Sequence, residues 1–583
     1  MLLTAQQQPC GEGPDVKIIG TCAHTVDRHC IRDALRICLA ISVLQLPWVS
    51  AAQAQDPADV AIATIRPEAI RAHMQFLASD LLEGRGTGSK GYRVAAEFVA
   101  DQFAAMGLKA AGDRGTFFQE VPLRSSKIDE PRSAFRLVHS GRTEELTFRQ
   151  DYILSGDPGR AEISVQAPIV FVGYGITAPD QKYDDYGHID ATGKIVALLF
   201  GAPKFQSAVK AHYSATWLKR KNAAEHGAVG VIVVYDPFLE SLRPFAKAVR
   251  DLAIPRYNWV DTRGRPDHYY PGLQMLGTVS LEGAKKLLAG SGHSPEDVYA
   301  AAKAGKLKPF KLAADAQVHT VTQHQEVHSP NVVAKLEGSD PSLKSQYVVY
   351  TAHLDHLGTS TPVNGDGIYN GALDNASGVA EVLEIARAFT HMDTPPRRSL
   401  LFVTVAAEEA GLLGSDYYAS NPTVDQGSIV ANVNIDEDVM LWPLRDVIAL
   451  GAEHSSLNGA VERAGQKLHL DNSPDPMPEQ VNFVRSDQYA FVRQGVPALS
   501  LSAGFKSDDP NVDPGKLFAD WEQTRYHQPQ DDMQQPGLNF DSAATFTKMG
   551  FLIGLYTAQD PDPPHWNPGD FFGITFGKGS RQQ

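Results

Sequence analysis

At 583 residues the chain is too long for one ordinary hydrophobic core, so two domains are expected. Its 53 basic and 68 acidic side chains give a net charge of -15, and residues 1–54 hold four of each sign (Lys17, Arg28, Arg32, Arg36 against Glu12, Asp15, Asp27, Asp33), so the whole excess falls on residues 55–583. An acidic body of this kind argues against nucleic acid and anionic membrane surfaces as partners.

All four cysteines, Cys10, Cys22, Cys30 and Cys38, lie in the same amino-terminal stretch. Arg28, Arg32 and Arg36 precede the apolar run Ile37–Val49, and Ala52-Gln53-Ala54 offers a small-x-small cleavage site before Gln55. This pattern predicts an export signal ending near Ala54, with a run too short to span a bilayer. Cleavage there leaves a mature protein without thiols or disulfides, in the periplasm or outside the cell. Residues 1 to about 25 fit no export pattern, and translation is expected to start downstream of Met1.

Two helices are expected between 64 and 108. Thr64 is placed to cap and Pro67 to open the first, whose Ile70, Met74 and Leu77 share a face. The second runs from Lys90 to Met106 with Ala95, Val99, Phe103 and Met106 inward. "LASDLLEGRGTGS" between them reads as a glycine-rich turn, not a phosphate cradle, because no strand precedes it and no Gly-Lys-Ser ends it. Residues 130–320 change character. Short strands are expected at 168–175, 194–200 and 229–234, with a helix from Trp217 to His226, and no ligand cluster stands out.

From 346 to 436 three apolar, β-branched runs each end in metal-ligand side chains. Tyr347–Ala352 stops at His353-Leu354-Asp355-His356, Leu400–Ala407 stops at Glu408-Glu409, and Ile429–Ile435 stops at Asp436. Asp374 lies between the first two, just before a helical apolar pattern carried by Val379, Val382, Leu383, Ala386 and Phe389. The alternation predicts an α/β fold with a mixed central sheet sandwiched by helices, and ligands in such sheets bind beyond the carboxyl ends of the strands. In extended chain residues i and i+2 share a side, so the Asp355 carboxylate is expected to fix the His353 tautomer. Imidazoles with carboxylates and no thiolate suit zinc. Taken singly, His-x-Asp is an ordinary loop pair, the Asp374 segment a helix cap and Glu-Glu a solvated strand end; the order at three strand ends makes them a site.

The segments "TAHLDHLG", "YNGALDNASGVAEVLE", "VAAEEAGLLGSDYY" and "VANVNIDED" resemble the secreted co-catalytic di-zinc aminopeptidase family, which also contains glutamate carboxypeptidase and glutaminyl cyclase relatives. The resemblance implies two zinc ions per chain, one held by His353, Asp374 and Asp436 and the other by Asp374, Glu409 and a late histidine, His527 in "RYHQPQDD". It implies Glu408 as general base, Asp355 as the partner of His353, and a cis peptide between Asp374 and Asn375. Family members commonly have Ser-Asp-His where this chain has Ser486-Asp487-Gln488, which bears on substrate contacts. "NAAEHGAVGVIVVYDP" is similar to the β-rich α+β protease-associated domain inserted in such peptidases. The implied organisation is an upstream extension and signal over 1–54, a helical part of the peptidase domain over 55–130, the insert over 131–320, the zinc peptidase domain over 321–560 and a tail over 561–583. The implied activity is removal of N-terminal residues from peptides with a free amino end. A carboxypeptidase or dipeptidase, a glutaminyl cyclase-like transferase and a receptor-like binding module are the alternatives, and an arginine-lined pocket would favour the first of them.

Overall fold

The computed structural model describes residues 56–577, so the expected export signal and the four cysteines lie outside the described residues. The elements that build the site are, in chain order, helices Pro67–Leu77 (α1) and Lys90–Ala105 (α2), strands Phe118–Ile128 (β1), Phe310–Leu336 (β2) and Tyr347–His353 (β3), helix Ser377–Thr390 (α3), strands Ser399–Val405 (β4), Ile429–Ile435 (β5), Asp446–Leu450 (β6) and Ala498–Ala503 (β7), and helix Phe540–Gln559 (α4). The helices and strands expected from periodicity are therefore present, with ends shifted by a few residues.

In the catalytic sheet β3 lies between β4 and β5 and runs parallel to both. β7 continues the parallel set beyond β5, β6 closes that edge antiparallel, and β2 and then β1 extend the other edge antiparallel. The chain leaves β3 to one side through β4 and returns to the other side through β5. That reversal opens a crevice at the carboxyl ends of the three strands.

Both faces of the sheet are covered, which is why its strands read as unbroken apolar runs. Val348 and Tyr350 face one way, against Ile70, Met74, Val99, Phe103, Val382 and Phe546 from the four helices. Val349 faces the other way, with Leu401 and Val403, against Tyr418, Phe491 and Phe572. Phe572 lies in a helix, Phe571–Phe576, so part of the tail over 561–583 packs onto the sheet.

The β2 strand is 27 residues long and serves two layers. Its first half pairs with Ala134–His139 and Glu162–Phe171, in a second sheet continued in parallel by Ile195–Leu199, Gly230–Val234 and Met275–Val279. Its second half pairs with β1 and β4. The second sheet has its own core of Phe135, Leu137, Ile169, Phe171, Ile195, Ile232 and Leu287. The boundary expected at 320/321 falls inside β2, and the chain from Pro57 onward forms one compact unit.

One expected cap is not used. Thr64 donates its hydroxyl to the Ala61 carbonyl at 2.7 Å and closes the preceding turn, while Arg66, held extended before Pro67, occupies the N-cap of α1 without a side-chain bond. Ser89 does cap α2, accepting the Tyr92 N–H at 3.1 Å.

Helix α4 lies directly over β3 because two glycines let it. The Tyr350 hydroxyl donates to the Gly550 carbonyl at 2.9 Å, and a Cβ on Gly554 would overlap that hydroxyl and its ring. Gly554→Ala is expected to destabilise the protein by roughly 1–3 kcal/mol through overpacking. Urea denaturation measures this, and an unchanged midpoint would show that the helix is not seated against Tyr350.

Candidate metal centre

The five expected ligands converge on Asp374. His353 Nε2, at the end of β3, lies 3.1 Å from Asp374 Oδ1 and 3.1 Å from Asp436 Oδ1 at the end of β5. The other Asp374 oxygen, Oδ2, lies 3.3 Å from His527 Nε2, which is itself 3.1 Å from Glu409 Oε2 beyond β4. Asp374 thus faces a different histidine with each oxygen, and each histidine has a second carboxylate.

A sixth side chain joins them. His356 Nδ1 sits 2.7 Å from Glu409 Oε1 and 3.6 Å from Asp374 Oδ2, and the ring is fully buried. It lies within the "HLDHLG" run and is absent from the expected ligand set; a histidine three residues after His353 is the signal that could have found it.

These residues fit a pair of cations. Both ring nitrogens of His356, Asp374 Oδ2 and Glu409 Oε1 are buried and make no well-directed hydrogen bond among the described residues, although His356 Nδ1 and Glu409 Oε1 stand 2.7 Å apart. Two groups, His353 with Asp374 and Asp436, and His356 with Asp374 and Glu409, each bring their donor atoms within 4.8 Å of one another. Nitrogen and oxygen donors without sulfur are a zinc-type set. The electrostatics point the same way. Burial alone would lower the imidazoles, but Asp436, Glu408 and Asp374 hold His353 well above its ordinary range, and Glu409 and Asp374 raise His527 to about 9. The carboxylates are demanding positive charge.

The two consecutive glutamates diverge. Ala407, at the turn out of β4, has φ 55°, a left-handed conformation unusual for a residue with a Cβ, and the chain reverses there. Glu409 is directed to His527 and His356. Glu408 lines the cavity with His353 and Asp436, and burial, with Glu409, Asp436 and Asp487 nearby, pushes its carboxyl well above the usual range against the pull of His353.

Asp355 corrects one expectation. His353 Nδ1 donates to the Asp355 main-chain carbonyl at 3.0 Å, whereas the carboxylate stands 4.0 Å from the ring. The tautomer is set by main chain because the strand ends at His353, so the alternation that would bring i and i+2 together no longer applies. The carboxylate instead accepts the Glu408 N–H at 3.0 Å and the Thr87 hydroxyl at 3.0 Å. Asp355 positions Glu408, not His353.

Several supports were not visible in the sequence. Asp531 accepts the N–H groups of Leu373 and Asp374 at 3.1 and 3.0 Å; the Asp374–Asn375 peptide beside them is cis, as the resemblance implied. Ser486 donates its hydroxyl to Asp436 Oδ2, and Asn434 donates to Ser486 at 2.8 Å. Gln488 is fully buried, accepting from Asn434 at 3.2 Å and donating to the Phe483 carbonyl at 2.8 Å, so its amide is spent inside the fold. Arg85, from the glycine-rich turn, is 1% exposed and donates to four carbonyls: Leu77 at 2.5 Å, Leu354 at 2.9 Å, Asn370 at 2.6 Å and Gly371 at 2.9 Å. It ties the loop after β3 to the loop before Asp374.

Residues 331–550 match the model of Peptidase family M28. Over 229 residues the chain is 28% identical to "Aminopeptidase Y" of Saccharomyces cerevisiae, a match covering 38% of this chain and 38% of that protein. It is 38% identical over 111 residues to a "Probable zinc metalloprotease" of Pyrenophora teres, covering 19% of this chain and 23% of that one. The chain thus spans well under two thirds of the length of these relatives. Among solved structures, the aminopeptidase from Aneurinibacillus sp. strain AM-1 has the same fold over 88% of this chain and 99% of that one, with a TM-score of 0.51 and 19% identity.

Arg85→Met is expected to lower stability by at least about 3 kcal/mol, because it leaves four buried carbonyls without their charged donor. Chemical denaturation with metal present checks this; a loss under about 1 kcal/mol would show that water takes over the guanidinium's bonds.

Proposed function

We propose that the protein is an exported di-zinc aminopeptidase of the peptidase family M28 kind, whose model residues 331–550 match, removing N-terminal residues from peptides with Glu408 as general base. The observation that carries this reading is the double use of Asp374, one oxygen toward His353 and Asp436, the other toward His527, Glu409 and His356. A carboxylate shared in this way would hold two cations, with His353 and Asp436 for one and His527, Glu409 and His356 for the other, which a one-metal site does not need.

Zinc held by these residues would supply Lewis acidity toward the scissile carbonyl and toward water. Glu408 takes a proton from the attacking water and returns it to the leaving amine, a role that suits a carboxyl whose affinity for protons is raised by burial. Asp355 fixes the main chain of Glu408 so that the carboxylate points into the cavity. A cavity of about 120 Å³ beside Glu408 is lined by Val439, Trp442, Ile448, Leu450 and Phe518, with Glu437 among its acidic groups. It suits an apolar first side chain, with the free amine against carboxylates.

The lobe spanning 131–320 is read as a protease-associated domain that walls the cleft. Trp217 and Tyr269 from this lobe line a cavity of about 530 Å³ together with Glu408 and His527, which supports that role. Export is supported by the amino-terminal pattern of basic residues, apolar run and small-x-small site. Among the described residues no helix is long and apolar enough to cross a membrane. Material collected outside the cytoplasm is expected to begin at Gln55; an amino terminus upstream of Arg28 would refute the cleavage site.

Glu408→Ala is expected to lower kcat by about 10²–10⁴-fold on aminoacyl anilides while keeping the zinc content of the wild type. Asp374→Asn is expected to lose zinc as well as turnover. Metal analysis alongside kinetics separates the two, and near-normal kcat in Glu408→Ala would remove it as the base.

A further inference from the structure

An irregular strap, residues 260–274, joins the lobe strands Arg256–Trp259 and Met275–Val279. Its middle, from Asp267 to Tyr270, lines the larger cavity together with Glu408, Glu409 and His527. Main chain ties the strap within the lobe: the Asp267 N–H donates to the Trp259 carbonyl at 2.8 Å and the Gln274 N–H to the Val229 carbonyl at 2.6 Å.

A side-chain cluster ties it to the sheet that carries the ligands. Arg493, in the helix Gln488–Arg493, donates Nη2 to Asp416 Oδ1 at 2.6 Å and Nη1 to His268 Nε2 at 3.1 Å. Asp416, in the helix Leu413–Ser420, accepts the Trp259 indole N–H on its other oxygen at 3.1 Å. One donor atom from each of Asp267, His268 and Asp416 lies within 4.8 Å of the others, and Trp217 stacks on the His268 ring at 5.1 Å. Arg124 adds a longer bond, 3.3 Å, to the exposed Gly264 carbonyl.

Asp267, His268 and Asp416 are metal-ligand side chains, but Arg493 already serves as the cation among them. A guanidinium has no lone pair, so His268 Nε2 is the acceptor and carries no proton. Asp416 has both oxygens engaged by donors. Asp267 is left beside it with one guanidinium for two carboxyls, an arrangement that favours a proton on one of them.

We propose that the strap over residues 260–274 is a proton-operated gate on the larger cavity, held shut by a hydrogen bond from the protonated Asp267 carboxyl to Asp416 and loosened as that proton leaves. The gate itself does not depend on the aminopeptidase reading; only its effect on peptide entry does.

The pH window follows from the two titrating groups of the strap. Burial first and Asp416 second raise the Asp267 carboxyl to about 8 in the shut form, whereas burial first and Arg493 second lower His268 to about 4. Released into water they return to about 4 and about 6.5. Shutting therefore takes up a proton at Asp267 between about pH 4 and 8 and gives one up from His268 between about pH 4 and 6.5. The two cancel up to about pH 6.5. Above it only the uptake remains, so the strap is held less firmly as pH rises through about 8, by up to about tenfold per pH unit. The other charged and titratable groups facing the pair are Arg493 and Tyr489 from one helix, Arg220 from Thr216–Glu225, Arg256 from the adjoining strand and Tyr270 from the strap. Arg220 stands at about 10 and Tyr270 at about 12, outside the window. Asp157 and Arg160, which also line the cavity, are paired with each other at 3.1 Å.

The test is amide hydrogen exchange over 260–274 in the zinc-loaded, full mature enzyme, each rate divided by its intrinsic value at that pH. Between about pH 6.5 and 8.5 protection of the strap in the wild type is expected to fall by about 10–30-fold. Asp267→Asn, uncharged throughout and still able to donate to Asp416, is expected to stay protected, and Asp267→Ala to be unprotected already at the lower pH. A wild-type strap whose protection is constant over this range overturns the gate, and so does an equal fall in Asp267→Asn. A second measurement compares kcat/KM for Leu-Gly-Gly-Gly-Gly amide with that for leucine anilide. The ratio is expected to rise with pH in the wild type and not in Asp267→Asn; a constant ratio overturns control of entry. Failure to cleave either substrate overturns the aminopeptidase reading and leaves the exchange result standing.

Discussion

Carboxylates do not share a buried pocket without positive charge to hold them. Asp374, Glu409, Asp436 and Glu408 meet at the end of one sheet, and Asp374 is 2% exposed. Three imidazoles and the buried guanidinium of Arg85 are among the positive groups beside them. The imidazoles respond as that imbalance requires, His353 and His527 both rising although burial alone would lower them. Arg85 is brought down to about 10 by burial, with Asp374, Asp355, Asp531 and Glu409 opposing the fall. Atoms without a well-directed hydrogen bond at the centre, on His356, Asp374 and Glu409, complete a pattern that divalent cations would satisfy.

A site so dependent on charge balance also needs its donors fixed, and the fixing is done by main chain. Asp531 takes two consecutive N–H groups at Leu373 and Asp374, and Asp355 takes the N–H of Glu408. Arg85 gathers carbonyls from Leu77, Leu354, Asn370 and Gly371. Each of these ties a loop to a neighbouring loop and not to a strand, so the rigid sheet is extended by one more layer of directed bonds before the ligands begin. Displacing any of the loops would move His353 and Asp374 relative to each other, which a shared carboxylate tolerates poorly.

How much of this was legible depends on how local each signal is. The strands ending at His353, Glu408 and Asp436 could be read because a buried parallel strand is an apolar run and its end is marked by the first polar residues. The α1 and α2 helices showed themselves by their 3.6-residue spacing. Arg85 was hidden because its partners are up to 286 residues away and it sits in a turn whose glycines explained the segment well enough. His356 was hidden by His353, the nearer match to the ligand pattern. Asp355 was misassigned for a physical reason: alternation was extended one step past the end of the strand. The unbroken passage of β2 through both sheets could not be read at all, since a change of pairing partner along one strand leaves no mark on its own residues.

The 131–320 lobe acquires its meaning from where β2 delivers it. A strand shared by two sheets fixes the second sheet relative to the first, so side chains of the lobe can be used as walls of a cleft whose chemistry belongs to the other sheet. On one side of Glu408 the wall is built by the sheet that carries the ligands and its adjoining loops, and it is apolar with carboxylates and the guanidinium of Arg485. On the other it is built largely by the lobe, and it supplies guanidiniums. The space beside Glu408 is therefore walled by both sheets, and the metal ligands by themselves do not define its shape.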